Sequence, residues 1–331
     1  MIKIRVQSAD GIVETNTVCP GCWVDAQDVD KADMLRLEQE FGISGDLLTD
    51  IMDIDEQSRI EQEDDYILII AGLPVWDNNN GISCFTAPLG MILFPDKIVT
   101  VCQRSSDALR DMASNRIKGF SLRSQNAFVL NMLSRAAYTF LRALKELNRN
   151  SAEIETALQK SIHNNELVQL LMLQKSLVYF TTSIKSNGLL LDKIQKQTFL
   201  RLKEDEQDLL EDVITENVQA MEMANIYSSI LTGTMDAFAS VISNNLNIVM
   251  KRLAIVNIIL LIPTVIYSFY GMNVELPFQH NVSAVTGIII VSLIASAVGV
   301  VLLNIKMTFK KMAFKNRMNH LAASREVSCR R

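Results

Sequence analysis

The residues best placed to do chemistry lie late in the chain, where Tyr270-Gly271-Met272-Asn273 closes an apolar run and Val274-Glu275-Leu276-Pro277 follows. A hard divalent cation such as Mg²⁺ holds its octahedral water shell at about 2.1 Å and gives it up reluctantly. Amide and carbonyl oxygens can therefore hydrogen-bond that shell without stripping it. Asn273 supplies such an amide, and Gly271 lets backbone approach closely. Upstream, steps of three and four residues pick out Ser229, Gly233, Asp236, Ser240, Ser243, Asn247, Met250, Ala254, Asn257, Leu261, Thr264 and Ser268, all on one side of a helix. An ordinary coiled-coil seam would carry Leu or Ile here. This line is small or polar, while Ile230, Phe238, Val241, Leu246, Ile248 and Val249 beside it are apolar. A solvated face accounts for its first half. Asn257, Thr264 and Ser268 fall within an apolar stretch, where polar groups need each other or water. Copies of the helix around an axis would turn the line into a pore lining. Interhelical hydrogen bonds without a pore are the alternative.

Other chemistry is sparse. Cys19-Pro20-Gly21-Cys22 is the only close cysteine pair, and His163, His280 and His320 stand in unrelated contexts, so the pair reads as a tight turn before a strand at Trp23-Val24. No phosphate-cradling glycine loop with a lysine is present, and no nucleophile, base and orienting group assemble in sequence, so neither ATP hydrolysis nor enzyme chemistry is expected. The acidic run Glu204-Asp205-Glu206-Gln207-Asp208-Leu209-Leu210-Glu211-Asp212 reads mainly as a solvated helix face.

The elements that must position these residues follow from composition. Nearly half of the 331 residues are hydrophobic, 49%, and mean hydropathy is positive, high for a purely soluble protein. The two longest uncharged runs, Leu253 to Tyr270 and Val282 to Ile305, can each span a bilayer of about 30 Å. Lys251 and Arg252 precede the first, and Lys306, Lys310, Lys311, Lys315 and Arg317 follow the second, whereas the loop 271–281 holds only Glu275 and His280. By the positive-inside rule both termini face the cytoplasm and the loop faces out. No signal peptide opens the chain, which begins with a strand and turn pattern through Asp10-Gly11, so the first 250 residues are expected in the cytoplasm. Residues 1–250 carry 22 basic against 35 acidic side chains, a balance of −13, and residues 251–331 carry 10 against 2, a balance of +8. An acidic soluble part with a basic membrane tail argues against nucleic acid and leaves cations as ligands.

Residues 1–118 predict a small α/β domain, with strands over Tyr66–Leu73, Gly81–Thr86 and Lys97–Cys102 and a helix over Asp33–Phe41 stopped by Gly42. Residues 119–250 predict long helices: Leu122–His163, Asn165–Asn187, and one from Leu202 that finds no stop before the membrane. That last helix plus its span would reach roughly 100 Å at about 1.5 Å per residue. Residues 251–306 hold the two spans and 307–331 a basic cytoplasmic tail. On the polar line Met250 and Leu261, with Leu253 beside it, are the bulky apolar members, and rings of them could close a path by dewetting.

A Gly-Met-Asn tripeptide after an aromatic residue, closing the first of two C-terminal spans, resembles the signature of CorA-type magnesium transporters. Met235-Asp236-Ala237-Phe238, Ser243-Asn244-Asn245-Leu246-Asn247, Met250-Lys251, Trp23 and Pro88-Leu89-Gly90 extend the resemblance over essentially the whole chain. One departure is Val-Glu-Leu-Pro in the outer loop where many members carry Met-Pro-Glu-Leu, which leaves Glu275 the only acidic loop residue. The resemblance implies an α/β domain, a long helical stalk and two membrane helices in a homopentameric funnel in the cell membrane. It further implies a filter at Tyr270 to Asn273 and a regulatory acidic residue on the stalk, matched here by Asp212. Mg²⁺ is then both cargo and regulator, with Co²⁺ or Ni²⁺ also passing, and no organic cofactor is implied. A zinc or other transition-metal transporter of the same superfamily is one alternative, although oxygen and amide ligands without a His or Cys ring favour Mg²⁺. A non-transporting membrane scaffold is another.

Overall fold

The structure, a computed structural model, describes residues 1–8, 11–76, 84–114, 122–160, 164–196, 200–272 and 286–301. The chain divides into two compact units, Met1–Asp236 and Ala237–Arg331. The first is built on a seven-stranded sheet in the order β2-β1-β3-β7-β6-β5-β4. The strands are β1 (Ile2–Ser8), β2 (Gly11–Thr15), β3 (Cys22–Gln27), β4 (Arg59–Gln62), β5 (Ile67–Trp76), β6 (Cys84–Leu93) and β7 (Lys97–Cys102). Only β3 and β7 run parallel.

Alternation along each strand sends residues to two cores. Leu68, Ile70, Val99 and Val101 pack with Leu37, Phe41, Leu48 and Ile51 of α1 (Lys31–Phe41) and α2 (Gly45–Met52). Ile69, Leu73, Ile98 and Trp23 face α3 (Asp107–Ala113), α4 (Gln125–Lys160) and α5 (Asn164–Lys196). Trp23 stacks edge-on against Phe128 of α4 at 5.2 Å, and its indole N–H donates to Thr100 at 2.9 Å. Thr100 in turn donates to the buried Asp25, which pairs with Arg5.

The β7 strand and the Gly42 stop agree with the sequence; Gly42 adopts φ 71° and returns its N–H to Glu38. Three expected elements end too early: the strand expected to stop at Leu73 runs on to Trp76. The strand over Gly81–Thr86 runs on through Pro88 to Leu93, its start at 81–83 lying outside the described residues. The helix expected to stop at Asn187 continues to Lys196, because Asn187 is a clamp and not a cap. Its side chain accepts from the Gly72 N–H at 2.8 Å and donates to the Gly72 carbonyl at 3.0 Å. At that position β4 has already ended opposite Ile70, so Asn187 takes the place of the missing strand on that edge of β5, while Pro88 of β6 stands across a non-hydrogen-bonded pair where no N–H is needed. Gly72 leaves room for this approach, since an added Cβ would lie 1.8 Å from Ser183 Oγ and force that side chain to move. Leu190, Leu191 and Ile194 beyond the clamp are buried, which carries the helix past Gly188. The cysteine pair forms the expected turn, with Gly21 at φ 79° and the Cys22 N–H donating to the Cys19 carbonyl. Burial pushes the Cys22 thiol up, away from the thiolate.

One helix, α6 (Glu204–Tyr270), contains 67 residues and includes Pro263. Its last part is the only described helix long and apolar enough to cross a membrane. Within the second unit it is joined by a shorter apolar helix, α7 (Thr286–Val301). The second run expected to span, Val282–Ile305, lies partly outside the described residues.

Candidate functional site

The two sides of α6 differ. On the inner side Glu206, Leu210, Val213, Asn217, Ala220, Ala224, Leu231 and Phe238 are buried, at heptad-like steps. Polar ties secure the same side: Ser134 Oγ donates to Glu216 at 2.9 Å and Asn217 donates to the Ile184 carbonyl at 3.1 Å. Nearest the helix start, Glu206 accepts from Ser124, Asn126 and the Lys203 N–H. Burial pushes this carboxyl up, but the bonds from Ser124, the Lys203 N–H and Asn126, helped by the Lys203 charge, outweigh it and hold the carboxyl below the usual range.

On the outer side every residue of the polar line is exposed: Ser229, Gly233, Asp236, Ser240, Ser243, Asn247, Met250, Ala254, Asn257, Leu261, Thr264 and Ser268, with Leu253 beside it. Counted backward in the same steps, the line continues through Ile226, Glu222, Gln219 and Thr215 to Asp212, Asp208 and Asp205, all exposed. Three acids of the run, Asp205, Asp208 and Asp212, thus share the count of the polar line, whereas Glu206 of the same run is buried and departs from the solvated face read in the sequence. Extending the count N-terminal of Ser229 is the sequence signal that finds Asp205 and Asp208.

In the second unit α7 covers the opposite side of α6. Ile255, Ile258, Ile262, Pro263 and Ile266 are half-buried. A Cβ added to Gly299 of α7 would stand 3.2 Å from Ile262 and 3.3 Å from Ile258, so the small residue permits this approach. Ser292 and Ser296 of α7 are buried on the same contact. Ser292 gives its proton to the Ile289 carbonyl, so at 3.0 Å the Tyr267 hydroxyl donates to Ser292. The sequence did not single out this small-residue face, and Ser292, Ser296 and Gly299 at near-helical spacing are its signal.

Two hydroxyls of the polar line have a fixed sense. Ser229 donates to the Asn225 carbonyl at 2.9 Å and Thr264 to the Leu260 carbonyl at 2.6 Å. With the protons turned back to the helix, the oxygen lone pairs remain for outside donors, such as the waters of a hydrated cation. At the end of α6 the Gly271 N–H still donates to the Tyr267 carbonyl at 2.9 Å, and Phe269 and Tyr270 pack edge to face at 5.8 Å. Met272 is exposed. Asn273 and Glu275 lie outside the described residues. Among the described residues no three His, Cys, Asp or Glu side chains gather to hold a metal.

The sequence model of a family described as CorA-like Mg²⁺ transporter protein matches residues 21–306. The cobalt/magnesium transport protein CorA of Methanocaldococcus jannaschii is 26% identical over 264 residues, 78% of this chain and 82% of that protein. Its counterpart in Thermotoga maritima is 21% identical over 261 residues, 76% of this chain and 73% of that protein. In fold, the chain resembles the complete CorA structure from M. jannaschii with a TM-score of 0.75 at 22% identity, covering 91% of this chain and 96% of that one. The ZntB cytoplasmic domain from Vibrio parahaemolyticus resembles it less, with a TM-score of 0.54 at 11% identity over 74% of this chain and 97% of that domain. With the family match running from the turn before β3 to beyond α7, the chain belongs to the CorA-like Mg²⁺ transporter family.

Proposed function

We infer that this chain is one subunit of a homo-oligomeric, channel-like importer of Mg²⁺ in the cell membrane, with the outer line of α6 as its ion path. The observation that carries this reading is the division of α6. From Glu206 to Leu231 the inner face is committed to its own chain, with ties to α4 and α5, and from Ile255 to Ile266 one side packs on α7, while the polar line is exposed along its whole length for neighbouring copies to enclose. A five-fold ring, as the family resemblance implies, would turn Ser240, Ser243, Asn247, Asn257, Thr264 and Ser268 into rings of oxygen acceptors suited to a hydrated ion. Tyr270 to Asn273 form the outer filter, with Glu275 the only acid in the loop beyond it. Rings of Met250, Leu253 and Leu261 close the path by dewetting.

The membrane potential suffices to drive uptake. Two charges at about 2.3 kcal/mol each per 100 mV give about 4.6 kcal/mol inward, an accumulation of more than about a thousandfold. Gating follows from the acids in line with the pore. Asp212, with Asp208 and Asp205, sits on the face that neighbouring copies share, and a divalent ion there relieves carboxylate repulsion and holds the ring closed. The further oxygens of that site come, in this reading, from a second copy.

Reconstitution of the purified protein into liposomes under an inside-negative potential tests the function. Mg²⁺ influx that Co²⁺ inhibits and Zn²⁺ does not is the expected result. Zn²⁺ influx in its place would assign a transition-metal transporter, and no flux would leave a scaffold.

A further inference from the structure

Glu206 makes more bonds than its place in the chain requires. It lies in the first turn of α6, yet the residue is 4% exposed. A carboxylate at this position commonly reaches back to cap its own helix, and Glu206 does so by accepting the Lys203 N–H at 3.0 Å. That local role leaves two bonds unexplained. Ser124 Oγ donates to one carboxylate oxygen at 2.6 Å and Asn126 Nδ2 to the other at 3.3 Å, from 82 and 80 positions away.

Both partners belong to the start of α4. Ser124 Oγ accepts from the Ala127 N–H at 3.2 Å, so the Ser124 hydroxyl that caps α4 is itself held by Glu206. Asn126 also donates to the Arg201 carbonyl at 3.2 Å, tying α4 to the segment that leads into α6. One turn further on, Phe128 lies against Trp23 of the sheet. A single carboxylate thus joins the N-termini of two long helices, one packed on the sheet and the other carrying the acidic line and the pore residues.

We propose that Glu206 is a positioning residue for gating: it makes the α/β domain, the start of α4 and the base of α6 move as one body, so that ion binding near Asp212 reaches the pore-lining part of α6. This rests on the Mg²⁺-gated channel reading. Without the joint, the first turn of α6 would be held by the apolar packing of Leu210 and Val213 without its polar lock to α4, and ion binding would set its position less tightly. Glu216 and Asn217 tie α6 further along, which allows the fold to survive the loss of Glu206.

The test uses the full-length protein in detergent, with protease protection of α6 followed across an Mg²⁺ titration and thermal unfolding measured alongside. Glu206→Ala should raise the Mg²⁺ concentration for half-protection by about tenfold or more, as expected for losing charge-assisted hydrogen bonds. Glu206→Gln, which keeps one acceptor oxygen, should give a smaller rise of about threefold. Ser134→Ala, which removes the neighbouring tie, should leave the midpoint in place. A wild-type midpoint in both Glu206 variants, with or without a change in melting, would overturn the proposal, because a purely structural carboxylate would alter melting alone. If Glu206→Ala does not fold, the Gln variant decides. Mg²⁺-independent protection in the wild type would overturn the gating reading and this proposal together, an outcome distinct from failure of the variants alone.

Discussion

The two stretches of α6 behave as different materials. From Glu206 to Ala224 a buried residue recurs every three or four positions, with Leu231 one heptad further on, and anchors the helix on its own chain. From Ala239 to Tyr270 none is buried, although Val241, Leu246, Val249, Leu260, Leu261 and Val265 are large and apolar. An apolar surface of that extent is not stable in water, so the second stretch completes its packing with lipid, α7 and other copies. The first stretch is a lever fixed by local folding; the second is a surface that acquires its role on assembly.

This contrast predicts where substitutions act. The largest effect is expected at the mouth. Asn273→Ala should abolish Mg²⁺ uptake while the oligomer still elutes normally in detergent, and wild-type flux would remove Asn273 from the filter. Next, Leu210→Ala on the anchored seam should cost about 2–5 kcal/mol of fold stability in chemical denaturation. Leu253→Ala on the unanchored stretch should leave the first unit's unfolding unchanged and instead raise Mg²⁺ leak when internal Mg²⁺ is high. Equal stability losses at the two leucines would erase the distinction between the stretches.

The smallest effect concerns acid. The Glu206 carboxyl is held below its ordinary value in the folded chain, so its contribution to stability is fully present above the unfolded carboxylate pKa of about 4.3 and is lost as pH falls through the lowered folded value. Unfolding followed between neutral pH and that acid window should show the wild type losing more stability than Glu206→Gln. Parallel pH profiles would mean that the carboxylate's charge contributes nothing at the joint.

Much of this was legible in the residues. The end of α6 at Tyr270, the β7 strand and the Gly42 stop were readable because apolar runs, alternation and a left-handed glycine are local signals. The polar line was readable because its period is local too. The Asn187 clamp was not, since Asn-Gly looks the same whether the amide caps a helix or bonds a strand 115 positions away. Glu206 was hidden for the same reason: within an acidic run nothing local marks the one carboxylate whose partners lie on another helix. The seam between α6 and α7 depended on matching Ser292 and Gly299 to Tyr267 and Ile262, a pairing set only by the fold.

The central claim is that the outer line of α6 lines a water-filled path, and cysteine accessibility tests it most directly. Single cysteines at Ser240, Ser243, Asn247 and Asn257, in a background without native cysteines, should react with small water-soluble thiol reagents in the reconstituted protein, while cysteines at Val249 and Ile259 stay protected. Reactivity that follows steps of three and four along the helix is the expected result. Uniform protection, or reactivity without that period, would contradict a pore on this face.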